Sequence, residues 1–300
     1  MKKRNIILEG RIKNWLQTLD INSLTVSEQA ILLLGVEKLY HATEDEDYCQ
    51  WVTKVLEQLV TNEGDIKNLD NDLSGYLFGN ALYFAVEQEN CKNAVQKLAE
   101  NLTKQERFDA TQTCEGTFSK KLGDTYKSQV FYMNYETKFG GKEHYNDIIA
   151  QYNIIRDKAF ESVNKALGTE EADLEMAEYA CAAIDTMEVM EQPLYEIYDR
   201  LKMLFKEAVH AMNAASLKGF QEKESTAAFL YIYAVLKGCR MKALHTEKYE
   251  KTALELLAKA EQKAEQMEVL DGALIMAYAE SLRNREYQDY GRTKGGVLWS

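Results

Sequence analysis

The residues best suited to proton chemistry in this chain are carboxylates placed where helices should begin: Asp70 and Asp72 in NLDNDLSGYLFGNALYF, and Asp124 in GDTYKSQVFYM. An aspartate at such a position has two uses. It caps the helix, its oxygen accepting the orphan N–H groups of the first turn at a gain of ~1 kcal/mol. Alternatively it moves a proton, provided its surroundings raise its pKa into a useful range. Phe118, Tyr126 and Phe131 lie close to Asp124 in sequence and would desolvate it in that sense. Lys120, Lys121 and Lys127 would instead push it down, or would hold an anionic substrate beside it. On spacing alone, capping outweighs catalysis.

Other chemistries have less support. The chain has no phosphate-binding glycine loop, no HExxH and no GxSxG, and its four histidines (His41, His144, His210, His245) have no His or Cys partner at ligand spacing. The five cysteines are widely separated and odd in number, which reads as reduced thiols and not as a zinc site or a disulfide framework. No metal and no cofactor is expected. A net charge of −12 without a basic tract argues against a nucleic-acid partner. The longest apolar run, ILLLGV, falls far short of the ~18 residues a membrane span needs, and MKKRNIILEG has too short an apolar stretch for an export signal. The expectation is a cytoplasmic protein without a membrane partner.

The elements that must position these carboxylates are helices. Apolar residues recur at spacings of three and four, as in WVTKVLEQLV, LYEIYDRLKMLFKEAVHAM and ALELLAKAEQKAEQM, and no stretch of useful length alternates with period two. Turn signals divide the chain into about twelve helices. A single proline and few glycines leave little linker material, so residues 1–300 read as one all-α domain. Connectors of one plan return every roughly 40 to 55 residues, the spacing of stacked helical hairpins. Such hairpins make either an open solenoid or a closed toroid of six, and periodicity does not choose between them. In an open array the first and last hairpins, near Trp15 and Leu282, stay apart. The long, irregular segments 62–72 and 107–124 suggest one decorated face, where a toroid would carry a pocket.

The order of five segments then matters: ATEDEDYCQWV, LDNDLSGYLFGNALYFAVEQ, EGTFSKKLGDTYKSQVFYMNYETKFGGKEHYNDIIAQY, ESTAAFLYIYAVLKGCRMKAL and GRTKGGVLW. In that order they resemble glycoside hydrolases of families 88 and 105, the unsaturated glucuronyl and rhamnogalacturonyl hydrolases. The resemblance implies a six-hairpin (α/α)6 barrel and a small oligosaccharide substrate left by a polysaccharide lyase. It places the family's acid and base on Asp124 and the second carboxylate on Asp70, with Asp72 the alternative if the loop has slipped. The reaction implied is hydration: the acid protonates the C4=C5 double bond of an unsaturated uronic acid, water adds at C5, and the hemiketal opens to release the sugar.

Substrate-binding positions implied by the same resemblance are Lys120, Glu224, Ser225 and Arg292, with Lys294 beside the last. For Glu224 and Ser225 a role at a helix start weighs equally. The sequence also departs from the pattern. Ser119 stands where the family has a His, and its Trp-Gly-Arg run falls near Ala172, Leu174, Met176 and Glu178, none of which can stack on a sugar or clamp a carboxylate. These losses leave a second reading open, a barrel kept as a carbohydrate-binding or protein-interaction scaffold without catalysis.

Overall fold

The computed structural model describes residues 3–69, 72–110, 115–190, 195–216 and 225–283. Twelve α-helices run through them in chain order: α1 (Ile6–Thr18), α2 (Val26–Thr43), α3 (Glu46–Leu59), α4 (Ser74–Leu82), α5 (Glu89–Thr103), α6 (Asp124–Lys138), α7 (Tyr145–Ala166), α8 (Glu170–Val189), α9 (Tyr195–Ser216), α10 (Thr226–Arg240), α11 (Thr246–Ala264) and α12 (Gly272–Leu282).

The helices alternate in character, and the alternation sets their place. In α4 all nine residues are buried, and in α10 everything from Ala227 to Arg240 is buried. A helix that is buried all round has neighbours on every side. The odd-numbered helices are amphipathic: α11, TEKYEKTALELLAKAEQKA, hides Tyr249, Ala253, Leu256, Leu257, Ala260 and Ala264, a stripe at spacings of three and four. The even helices therefore form an inner ring and the odd helices an outer one. Each even helix packs on the next, from α2 through α4, α6, α8 and α10 to α12, and α12 packs back on α2. The fold is a closed (α/α)6 barrel, and the open array is excluded.

The seam between α12 and α2 needs two glycines. A Cβ on Gly35 would lie 2.7 Å from the Gly272 carbonyl oxygen, and one on Gly272 would lie 2.7 Å from Leu32 Cα, so the two backbones touch directly. Tyr278 of α12 adds a clasp to the first hairpin, donating to Glu9 at 2.7 Å and accepting from the Asn5 amide at 2.8 Å.

Because each outer helix leads into an inner one, all six inner helices start at the same end of the ring. The long connectors enter there. Antiparallel bridges from Val60 to Ile66 and from Phe108 to Thr117 pin two of them. Four inner helices begin on side-chain caps: Thr25 with Glu28 in a capping box, Thr169, Ser225 and Asp271. The N-cap residues of α4 and α6 are Leu73 and Gly123, and neither supplies a side-chain cap. These are the two helices whose starts carry the candidate carboxylates.

The opposite end is closed by charge. Lys237, 1% exposed, reaches Asp185 at 2.6 Å and Glu188 at 2.5 Å, while Arg240 joins Glu188 at 2.8 Å and pairs with Glu280. Tyr233 donates to Asp185 at 2.8 Å. Burial alone would strip Lys237 of its proton, but Asp185 and Glu188 overcome that and raise its pKa. For Glu188, desolvation is likewise overcome by Lys237, Arg240 and Arg283, which hold it well below the carboxylate range. Breaking such a network from one side strands charge in the interior. Lys237→Met should therefore cost about 3–5 kcal/mol in urea unfolding, and a loss below about 1 kcal/mol would show that the floor carries little of the stability.

Candidate active site

Asp124 lies at the mouth of the ring as the first residue of α6. Its side chain is 18% exposed. It does not cap its own helix: a tight turn, with Asp124 N–H bonded to the Lys121 carbonyl and Tyr126 N–H to that of Gly123, leads into α6 instead. The carboxylate reaches backward, Oδ2 accepting the N–H of Lys120 at 3.0 Å and of Lys121 at 2.9 Å. Its other oxygen faces Lys127 Nζ at 3.6 Å. The cap expected from the sequence is thus replaced by a loop clamp, which leaves Oδ1 turned toward a cation and not toward helix amides.

The aromatic neighbours also turn out differently. Phe118 packs on the Arg107 guanidinium and Tyr132, and Phe131 on Tyr76 and Tyr83. The Tyr126 hydroxyl points down the barrel to Asp185, 3.5 Å away. Asp124 gets its surroundings from elsewhere, chiefly from α8.

On α8, Glu171, Glu175 and Glu178 recur at i, i+4 and i+7, so they share one face. That face meets the KKLGD loop. Lys121 Nζ pairs with Glu171 at 2.5 Å, and Glu175 accepts the Leu122 N–H at 3.1 Å. Glu178 comes next along the stripe, and its carboxyl fills the space a side chain at Gly123 would need. Crowding drives its pKa up to about 7: desolvation is the largest cause, Asp124 and Glu175 add to it, and Lys127 and Lys121 oppose it. Sequence reasoning met Glu178 only as a position where the family's stacking and clamping residues are missing. The available signal was the acid stripe on α8 combined with a basic loop of matching length.

The remaining sequence-derived positions spread around the same end. Lys120 is exposed, its Nζ over the Phe108 ring at 4.6 Å. Ser225 caps α10 by accepting the Ala228 N–H at 3.3 Å, and its neighbour Thr226 donates to Asp271 at 2.6 Å, where burial raises the Asp271 pKa. Asp72 accepts from the amide and hydroxyl of Ser74 and lines a cleft of about 320 Å³ with Leu69, Tyr76, Asn101 and Gln105. Asp70, Glu224, Arg292 and Lys294 lie outside the described residues. Ala172 and Met176 are buried and Leu174 packs against the core, so those α8 positions serve the barrel wall. Among the described residues no group of three or more His, Cys, Asp or Glu side chains is placed to hold a metal ion.

The fold has solved counterparts. A glycoside hydrolase of family 105 from C. acetobutylicum ATCC 824 superposes with a TM-score of 0.72 at 17% identity, covering 93% of this chain and 99% of the other. A glycosyl hydrolase of family 88 from Bacteroides vulgatus gives a TM-score of 0.67 at 11% identity, covering 92% and 97%. No family model and no curated protein matches the sequence. The barrel is of the family 88 and 105 kind, as the order of segments implied.

The raised Glu178 pKa fixes a sign for stability against pH. At low pH the group is protonated in both states. As pH rises from 4.5 to about 7 the unfolded chain releases this proton while the folded one retains it, so stability falls across that window. The loss reaches up to about 3 kcal/mol. Urea midpoints taken across the window should show this slope in the wild type and a shallower one in Glu178→Gln. Gly123→Ala, whose φ of −66° suits alanine, should also flatten it by forcing the carboxyl toward water; an unchanged slope in both variants would show that Glu178 titrates normally.

Proposed function

We propose that this protein is a glycoside hydrolase that removes a terminal unsaturated uronic acid from short oligosaccharides, by hydrating the C4=C5 double bond. The observation that carries this reading is the state of Asp124: a carboxylate at the open end of a family 88 and 105 type barrel, clamped by two loop amides, facing Lys127, and excused from capping its helix. A group held this way keeps its position while a proton comes and goes.

In this reading the uronic carboxylate is drawn to Lys127, and the sugar ring comes within reach of Asp124. A proton is delivered to C4, water adds to C5, and the resulting hemiketal opens to a ketone, freeing O5 so that C1 expels the next sugar. The substrates are fragments that a lyase leaves from rhamnogalacturonan or a glycosaminoglycan-like polymer. Asp70 supplies the second carboxylate of the family pattern, Lys120, Glu224, Ser225 and Arg292 border the substrate, and residues 1–300 act as one barrel domain in the cytoplasm.

A specific observation favours the alternative, a sugar-binding scaffold without turnover. Of the α8 positions near which the family's Trp-Gly-Arg run falls, Ala172, Leu174 and Met176 are packed into the barrel wall, and the fourth, Glu178, carries neither an aromatic ring nor a guanidinium. One experiment separates the two. The conjugated double bond absorbs in the ultraviolet, so the wild type should bleach at least one member of a panel of unsaturated uronyl disaccharides. Asp124→Asn retains a carbonyl oxygen for both loop amides but no group that titrates, and it should be slower by about 100-fold or more. Absence of bleaching across the panel would establish the scaffold.

A further inference from the structure

An acid that must place a proton on one carbon depends on what holds it still, and for Asp124 that is the pair of amides at Lys120 and Lys121. Their connector is tied to the barrel by a buried hydrogen-bond circuit centred on α7. We infer that Gln151 of α7 is a positioning residue for Asp124: it sets the loop whose amides hold the carboxylate. The inference rests on the uronyl hydration reading above for its effect on rate, and it leaves the proton steps with Asp124.

Gln151 is fully buried. Its Oε1 accepts two hydrogen bonds, from the Phe118 N–H at 3.1 Å and from Gln129 Nε2 at 2.9 Å, and its Nε2 donates to Asp147 Oδ2 at 3.0 Å. The carboxamide cannot turn over, because the carboxylate on one side takes only donors and the backbone N–H on the other offers only a proton. Asp147 in turn receives the Arg107 guanidinium as a fork, at 2.7 and 2.9 Å, and that guanidinium lies 4.5 Å from the centre of the Phe118 ring. Phe118 is thus held twice, by its amide and by its ring, through partners that are bonded to one another.

Two routes lead from Gln151 to Asp124. The first follows the connector: the Phe108–Thr117 bridge and the Gln151 bond fix residues 117 and 118, the Ser119 N–H donates to Thr117 Oγ1 at 3.1 Å, and the next two amides are those on Asp124 Oδ2. The second crosses α6. Gln129 Nε2 also meets Ser128 Oγ at 3.3 Å, and that hydroxyl donates to the Asp124 carbonyl at 3.1 Å. One side chain therefore bears on both the carboxylate and the backbone of Asp124. Further along the loop, Lys121 and Glu171 pair in solvent, where an ion pair fixes little. The buried circuit is the stiffer tie, since removing its centre would strand the Phe118 N–H and the Gln129 carboxamide away from water.

The test follows three variants. Gln151→Met fills the space without the carboxamide, and Arg107→Lys keeps the charge but loses the fork and the stack. Tyr152→Phe, on the same helix, removes a buried hydroxyl bond to Thr186 of α8 at 2.8 Å and leaves the circuit alone. Hydrogen exchange of the Lys120 and Lys121 amides, read by NMR, should be about tenfold faster in the first two variants. In Tyr152→Phe it should be unchanged while the melting temperature falls. On an unsaturated uronyl disaccharide, Gln151→Met should lower kcat by about 10²-fold with KM little changed, because a misplaced carboxylate spoils proton delivery and not binding. Arg107→Lys should lose less, and Tyr152→Phe should keep the wild-type kcat. If Gln151→Met does not fold, Arg107→Lys carries both readouts. Wild-type exchange and kcat in the circuit variants overturn the inference and leave the hydration reading in place; faster exchange with undiminished kcat overturns it as well. A wild type inactive on every disaccharide overturns the hydration reading, and exchange of the two amides then decides the placement alone, a faster rate supporting it and an unchanged rate overturning it.

Discussion

Ring closure is the constraint on which everything else in this molecule depends. Six hairpins make a barrel only if the last inner helix meets the first, and here α12 reaches α2 through backbone contact at Gly35 and Gly272. Closure forces the inner helices parallel. Parallel helices align their dipoles, about half a positive charge at each N-terminus and half a negative charge at each C-terminus. The side chains answer that polarity: α8 opens with Glu170, Glu171 and Asp173 at the mouth, while α10 ends with Lys237 and Arg240 at the floor.

The two ends differ in how completely their charges are matched. At the floor Asp185, Glu188 and Glu280 meet Lys237, Arg240 and Arg283, with Tyr233 taking up a remaining lone pair. Among the described residues these charges are all paired, and such an end holds the ring together. At the mouth the matching stops short: Lys121 and the loop amides satisfy Glu171, Glu175 and one oxygen of Asp124, while for Glu178 burial outweighs the pull of Lys127. The balance raises the Glu178 pKa to about 7.

Much of the fold was legible in the sequence because it is local. The three-four periodicity marks the helices, Ser225 marks a helix start, and the length of segments 62–72 and 107–124 marks the decorated end. What was not legible depends on partners distant in sequence. Nothing in the sequence pairs Gly35 with Gly272; the seam does. Asp124 reads as a cap because Gly-Asp before an apolar helix usually is one, but the tight turn through Lys121 and Leu122 absorbs the first amides and sends the carboxylate backward. Glu178 reads only as a departure from the family pattern, and its crowding appears once Gly123, from another hairpin, removes the room around it.

The claim at the centre of this account is that the mouth adds a proton to carbon and does not attack the glycosidic bond directly. Running the reaction in deuterated water and following the product by NMR at early times tests it most directly. Hydration places one deuterium at C4, on one face, in step with release of the sugar. Release of the sugar with C4 unlabelled would contradict the account.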